Sequence, residues 1–598
     1  MRNSTFFWLL ISLVAFSSLF ALSLAALIVE VEGVGRIPER WRLQGRKPDA
    51  SQSITLSIAL KQPNVASLKS RLEEISNPNS PEYGKHLSKE EVDMYRSPDS
   101  KGASEVMSWL ASSGVREAAH VHDRVVFNST VADAEGLLNA SLGYYSSEGD
   151  DKKLLRTLAY SVPTEVSSAI DFIRPLEEFR PTSGPRAQFA WLTQRAEAKK
   201  SGAGDQCNGG TDPTCIKSLY KLNYNASTAR SPVRFGIAGF LEQYINYEDT
   251  STFMDRYAPD RQDEGFNFTV ELVNGGRNPQ DINSAGTEAS LDIQYAMALG
   301  YPTNVVYYST GGRGTKLDGD GLPYHDSESD NEPYIEFLDY LLDLPDEDLP
   351  HVLSISYADD EMSVPKAYAI RACDMFAALT ARGVSILAAS GDGGSRGTGQ
   401  RMCYSNDGKG TEMTVPTFPA SCPYVTSVGA TTNSGPPVNG AGFSTGGFSN
   451  YFSQPAWQTK AVDKYFKALD GRLQGHYNAS GRAIPDISAI GSGFAIQWAG
   501  RESSVLGTSA SCPVVAAMVA LANDARMREG KSSIGWLNPL LYSKKARKTL
   551  QDVVEGESYS CSWNGDAPGG WPAKPGYDTI TGLGVPDDFK KFMKVLTK

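Results

Sequence analysis

The chain has 598 residues, 40% of them apolar, which is enough for two or more domains with cores of their own. Its formal charge is −12, and the acid excess lies in residues 201–598, with 45 acids against 33 bases; residues 1–200 hold 24 of each. That balance argues against a nucleic acid or an anionic membrane as partner, although runs such as "DYLLDLPDEDLP" read equally well as solvated loops.

In chain order, "MRNSTFFWLLISLVAFSSLFALSLAA" has one arginine, a long apolar run and small residues at Ala25 and Ala26. It reads as a secretory signal peptide over residues 1–26, with an uncleaved signal anchor as the alternative. No other stretch is long and apolar enough to span a bilayer. Sequons begin at Asn128, Asn139, Asn225, Asn267 and Asn478, each a glycan acceptor only on an exposed loop.

Residues 27–180 alternate strands ("SITLSIAL", "RVVFNSTV", "TLAYSVP") with amphipathic helices ("VASLKSRLEEIS", "ASEVMSWLASSG", "VADAEGLLNASL"). That pattern predicts one compact α+β domain. Residues 181–206, rich in Gly, Pro, Ala and charge, read as an exposed, cleavable linker.

From residue 207 to 598 the pattern changes. Short apolar strands ("VRFGIAGF", "TNVVYYST", "HVLSISYA", "GVSILAASG", "YVTSVGAT", "PDISAIG") alternate with helices ("EASLDIQYAMALG", "YIEFLDYLLDL", "PKAYAIRACDMFAALTARG", "SCPVVAAMVALANDARMREG"). Such strands predict a parallel sheet covered on both faces, an α/β fold with its chemistry at the strands' carboxyl ends.

Seven cysteines are too few for a disulfide scaffold. Cys207 and Cys215 bound a loop short enough to staple, and Cys403 with Cys422, flanking a loop between strands, are placed to pair. Cys373 and Cys512 read as buried and free, and Cys561 has no obvious partner. With no CxxC pair, a zinc site is not expected.

"LGTSASCPVVAAMVA" reads as the nucleophile segment of a subtilisin-type serine peptidase, with Ser509 after a Gly-Thr turn. Such a serine needs a base. Only His325, His351 and His476 of the six histidines fall in the larger domain, and none opens a helix as a catalytic histidine would. "GTEASLD" offers something else. Glu288 and Asp292 are four apart, on one helical face near a helix start. Alone this is a tolerated acidic pair on a wet face. Beside a serine without a histidine it becomes a candidate base and its partner, effective in acid where carboxyl pKa values match the medium. Asp392, at the end of strand "SILAAS", reads alone as a turn aspartate. Protonated, it would donate to an oxyanion.

"GTSAS", "EASLD" and "SGDGG", in their order along the chain, resemble the sedolisins, the serine-carboxyl peptidases, and within them the tripeptidyl-peptidase branch. "FLEQY", "FPASCPYVTSVGATT", "GGFSNYF" and "YNASGRAIPDISAI" extend the likeness over almost all of residues 40–598. The resemblance implies a subtilisin-like fold, with Ser509 as nucleophile, Glu288 as general base, Asp292 as its partner and Asp392 as oxyanion acid. "SPEYGKHLSKEEV" resembles the family's pro-segment, which implies a zymogen that cleaves itself in acid.

The resemblance also implies one structural calcium ion. Its ligands would be the carboxylates of Asp552 and Asp578 and the carbonyls of Val553, Lys574 and Gly576, with Lys574 standing where relatives often have glycine.

The expectation is a secreted or vacuolar (lysosome-like) acid peptidase. Its partners are polypeptide substrates and, before activation, its own pro-domain. No nucleic acid is expected, and no membrane after signal cleavage. Tripeptide release is favoured over endopeptidase action. A catalytically inactive secreted binding protein and a neutral-pH subtilisin are the rivals, and a pH–rate profile separates them.

Overall fold

The computed structural model describes residues 28–31, 37, 41–147, 153–174, 176, 207, 210–224, 230–259, 267–314, 316–317, 331–398, 403–406, 409–432, 438–563 and 569–598. The signal peptide, the linker 181–206, Asn225 and His325 lie outside them. Contacts divide the chain into two compact units, residues 1–63 with 97–179 and residues 64–96 with 180–598.

The smaller unit holds a four-stranded antiparallel sheet in the order Ala118–Val121, Arg124–Thr130, Ser53–Leu60, Ile170–Arg174. Alternation in "SITLSIAL" sends Ile54, Leu56, Ile58 and Leu60 into one core with Val125 and Phe127. Helices Ser100–Ser112 and Val131–Leu138 cover it; Asp99 caps the first, and Thr130 accepts from the Asp133 N–H to cap the second.

The larger unit is built on seven strands: β1 (Arg234–Gly239), β2 (Thr269–Val273), β3 (Asn304–Thr310), β4 (Val352–Ile355), β5 (Ser385–Ala389), β6 (Thr426–Thr431) and β7 (Ile487–Ile490). Their order is β2-β3-β1-β4-β5-β6-β7, and every pairing is parallel. Alternate side chains enter different cores. Val305 and Tyr307 of β3 face one, Val306 and Tyr308 the other. This is the covered parallel sheet that the apolar runs predict. Only β2 has no counterpart among the expected strands; it is an edge strand, mostly only part-buried.

Helices α1 (Thr287–Gly300) and α4 (Thr508–Arg528) lie on the first face; α2 (Tyr334–Asp343) and α3 (Lys366–Ala381) lie on the second. Thirteen of the fourteen residues of α1 are buried, and α4 is buried over most of its length. A helix wrapped on all sides reads as apolar all round, and any charge it carries is sealed in with it.

Residues 64–96, read from sequence as part of the α+β block, pack within this larger unit. Leu68, Leu72 and Ile75 of helix Val65–Ser76 join the core of α3, each burial worth roughly 1.5–3 kcal/mol. Lys69 pairs with Asp374 at 2.5 Å, and the Leu87 N–H donates to the Ala381 carbonyl at 2.9 Å. The His86 ring bonds the Ser533 carbonyl through Nε2 at 2.8 Å. It fills a cradle made by two glycines with positive φ: a Cβ on Gly383 would lie 2.7 Å from the ring, and one on Gly535 2.6 Å.

Two disulfide expectations need correcting. Cys207–Cys215 forms, but Cys373 bonds Cys422 and Cys403 bonds Cys561. The buried face of α3 carries Cys373 to the segment before β6, so it is not free. Cys403 reaches across 158 residues to Cys561, a proximity made by tertiary structure alone. Cys512 is free and buried. Asn128, Asn139 and Asn267 are exposed, whereas Asn478 is part-buried and its amide donates to the Ser449 carbonyl at 2.8 Å. No helix among the described residues is long and apolar enough to cross a membrane.

Candidate active site

Three segments converge at the carboxyl ends of β4 and β5. The Gly507 turn, at φ +152°, starts α4 and brings Ser509 to the helix's first turn, 4% exposed. Ser356 follows β4, and its carbonyl accepts from the Ser509 hydroxyl at 3.1 Å. Asp392 follows β5, and its Oδ1 accepts from the Thr508 N–H at 2.7 Å and the Thr508 hydroxyl at 2.9 Å. Its other oxygen, Oδ2, lies over the Gly507 turn: a Cβ there would stand 2.6 Å from it. Glycine is needed for both its φ and that close approach.

The fourth element is α1. Glu288 and Asp292 stand one turn apart, 3% and 1% exposed. The Glu288 N–H, one of the helix's free first-turn donors, is capped by Gln243 Oε1 at 3.0 Å. Ser356 Oγ donates to Asp292 Oδ1 at 2.7 Å. No N–H or O–H reaches Glu288 Oε1 or Asp292 Oδ2. A protonated carboxyl is itself an O–H donor, so the absence of any other donor favours a retained proton over two charges.

The electrostatics agree. Burial raises the Glu288 pKa well above its ordinary value; the Asp292 and Asp392 charges add to that, and a bond from Ser509 opposes it. Burial also raises Asp292 well above its ordinary value, with the Ser356 bond opposing. A buried ion costs several kcal/mol even after relaxation, so the pair keeps a proton rather than two charges. Asp392 retains some exposure, yet its surroundings are closed enough that burial pushes its pKa up to about 6 against the pull of Thr508. Below that pH it is an O–H donor beside the Gly507–Ser509 turn.

The histidines described in this unit are occupied elsewhere. His351 Nδ1 accepts from the Arg234 N–H at 3.1 Å, and burial lowers its pKa to about 4. His476 stacks on Trp563 at 4.3 Å, and His86 sits in its glycine cradle.

The structure thus brings together Ser509, Glu288, Asp292 and Asp392, all singled out in the sequence. Sequence reasoning missed Ser356, Gln243 and Thr508. Thr508 and Gln243 stood inside the quoted "GTSAS" and "FLEQY", and a serine just beyond an apolar strand was the available signal for Ser356.

The residues expected to hold calcium lie apart from this site. Asp578 is fully buried and its Oδ1 accepts from the Ile580 and Thr581 N–H groups at 2.8 Å each; burial, with the Asp552 charge adding, pushes its pKa up to about 7. Asp552 Oδ2 accepts from the Gly576 N–H at 2.7 Å. Among the described residues no group of three or more His, Cys, Asp or Glu could hold a metal. The two carboxylates suit a hard, oxygen-seeking cation, since the Asp552 charge opposes ionisation of Asp578, although the Gly576 carbonyl already accepts from the Arg547 guanidinium at 3.0 Å.

A serine on the first turn of a buried helix, beside a parallel sheet and a buried carboxyl pair, is the arrangement expected of a serine peptidase of the carboxyl-dependent class. Residues 39–179 match the pro-kumamolisin activation domain, and residues 309–537 match the subtilase family. Relatives include the probable tripeptidyl-peptidase SED2 of Arthroderma benhamiae, 37% identical, covering 95% of this chain and 96% of the relative. The tripeptidyl-peptidase SED4 of Arthroderma otae is 39% identical, covering 93% and 92%. A solved Pseudomonas sedolisin, a serine-carboxyl proteinase, is 20% identical, covering 66% of this chain and 99% of that one, with a TM-score of 0.46. The chain belongs to the sedolisin family of serine peptidases.

Hydrolysis that uses the Asp392 proton fades as pH rises through about 6. Thr508→Val removes one donor that favours the ionised form. It is expected to move this alkaline limb of kcat/KM up by about one pH unit while lowering turnover. An unmoved limb would contradict the electrostatic reading of Asp392.

Proposed function

We propose that the chain is a self-activating zymogen of an acid peptidase that releases tripeptides from free N-termini. The observation that carries the reading is the buried Glu288–Asp292 pair beside Ser509, with every histidine described in that unit engaged elsewhere. Ser509 Oγ attacks the peptide carbonyl as its proton passes to Glu288. Asp292 holds and polarises Glu288 through their common proton. Asp392 donates its O–H to the tetrahedral oxyanion, a contribution typically worth 10²–10³ in turnover. Glu288 then protonates the departing amine, and water repeats the sequence on the acyl-enzyme. Asp392 as donor requires acid, whereas the pair as base requires that one of its protons has already left, so activity is confined between the two ionisations.

Tripeptide release is supported by the named activity of relatives 37–39% identical over nearly the whole chain. The activation-domain match supports residues 27–180 as the pro-domain and 181–206 as the maturation segment. Acid release of the pro-domain fits His86. Burial, and secondarily the Arg526 charge, lowers its pKa below 6.5, so the docked ring is neutral. The undocked ring binds protons more readily, and docking therefore weakens as pH falls below about 6.5. The sequons and the signal sequence favour secretion or delivery to an acidic, lysosome-like compartment.

Incubating the zymogen at about pH 4 tests this. Self-cleavage within 181–206 and tripeptides from a long peptide are expected, with no product when the peptide's N-terminus is acetylated. Internal fragments would identify an endopeptidase instead. Ser509→Ala abolishes both steps, and Glu288→Gln lowers kcat by roughly 10²–10⁴; a Glu288→Gln enzyme of full activity refutes the reading.

We also infer that one calcium ion is held by Asp552, Asp578 and the carbonyls of Val553, Lys574 and Gly576. It would fasten the C-terminal loop and takes no part in the chemistry. Chelation is expected to lower the unfolding temperature by roughly 5 °C, restored by calcium and not by magnesium. No change on chelation would contradict the site.

A further inference from the structure

Ser356 touches both halves of the catalytic arrangement. Its carbonyl accepts from the Ser509 hydroxyl, and its own hydroxyl lies 2.7 Å from Asp292 Oδ1 and 3.3 Å from the Ser509 carbonyl. The side chain is buried. A serine hydroxyl has one proton, so it cannot serve both acceptors fully at once.

The second acceptor is free for a reason written in the sequence. In a regular helix the Ser509 carbonyl would receive the N–H four residues on. That residue is Pro513, which has none. "SASCP" thus leaves the nucleophile's own carbonyl open at the point where the Ser356 hydroxyl arrives.

Resting on the roles proposed for Ser509, Glu288 and Asp292, we infer that Ser356 is a positioning residue whose hydroxyl follows the charge of the carboxyl pair. While the pair is anionic, the hydroxyl donates to Asp292 and stabilises that charge. When Glu288 takes the Ser509 proton the pair becomes neutral, Asp292 is a weaker acceptor, and the hydroxyl turns to the Ser509 carbonyl. Neither state leaves the hydroxyl without an acceptor. A fixed cation in its place would trap the charge on Asp292; a methyl would leave the anion unsupported in an apolar setting.

Beyond the bond from Ser509 to Glu288, the groups facing the pair give it no other support. From the packed elements these are Asp392 after β5, Tyr307 on β3, Tyr357 after β4 and Cys512 on α4. All are acids. The Tyr307 hydroxyl donates to the Gln243 carbonyl at 2.6 Å and the Tyr357 hydroxyl to the Phe240 carbonyl at 3.4 Å.

The test is the pH dependence of kcat for the matured enzyme. With Ser356→Ala the pair ionises less readily, so the acid limb is expected to move up by about one pH unit, and kcat at the optimum to fall about tenfold. Ser356→Thr, which keeps a hydroxyl, returns the limb toward its original position. A Ser356→Ala enzyme that is slower with its acid limb unmoved has lost only packing, and overturns the inference. Glu288→Gln run alongside separates this from the underlying mechanism. If Glu288→Gln is inactive and the Ser356→Ala limb stays put, only the role of Ser356 fails. If Glu288→Gln is active, the carboxyl-base mechanism fails and this inference with it.

Discussion

Two carboxyl groups one turn apart inside a helix buried on every side cannot both carry charge, and the rest of the site is arranged around that restriction. On a wet surface such a pair would cost a few tenths of a kcal/mol. Inside α1, where 13 of 14 residues are buried, two unpaired charges would each cost several. A retained proton avoids this. The Gln243 cap, the Ser356 hydroxyl and the placement of Ser509 beside Glu288 then make the remaining negative charge useful.

The sheet delivers these parts by the rule that governs parallel α/β folds: function collects where strands end. Ser356 follows β4, Asp392 follows β5, and α4 packs against the sheet with Ser509 on its first turn. Acid chemistry recurs away from the site. Asp392 can donate only when protonated, and burial disfavours charge on His86 in its glycine-lined seat. One falling pH supplies the first and disturbs the second.

Much of this was legible in the residues. Uninterrupted apolar runs gave six of the seven strands, because strands covered on both faces leave no room for polar alternation. The i,i+4 spacing of Glu288 and Asp292 fixed their common face. What stayed hidden depends on distant chain segments. Edge strand β2 lacks the apolar signature. Cys373–Cys422 and Cys403–Cys561 are pairings of tertiary proximity. Ser356 and Gln243 matter only because folding carries them to α1 from residues 64 and 45 positions away. Residues 64–96 have the same amphipathic look as the helices that follow; only their docking against α3 distinguishes them.

The most direct measurement is a carbon-13 titration of the side-chain carboxyls in a Ser509→Ala protein labelled at Asp and Glu. The account predicts that Glu288 and Asp292 titrate as a coupled unit, retaining one common proton far above the ordinary carboxylate range of about 4. Two independent ionisations near that ordinary value would contradict it.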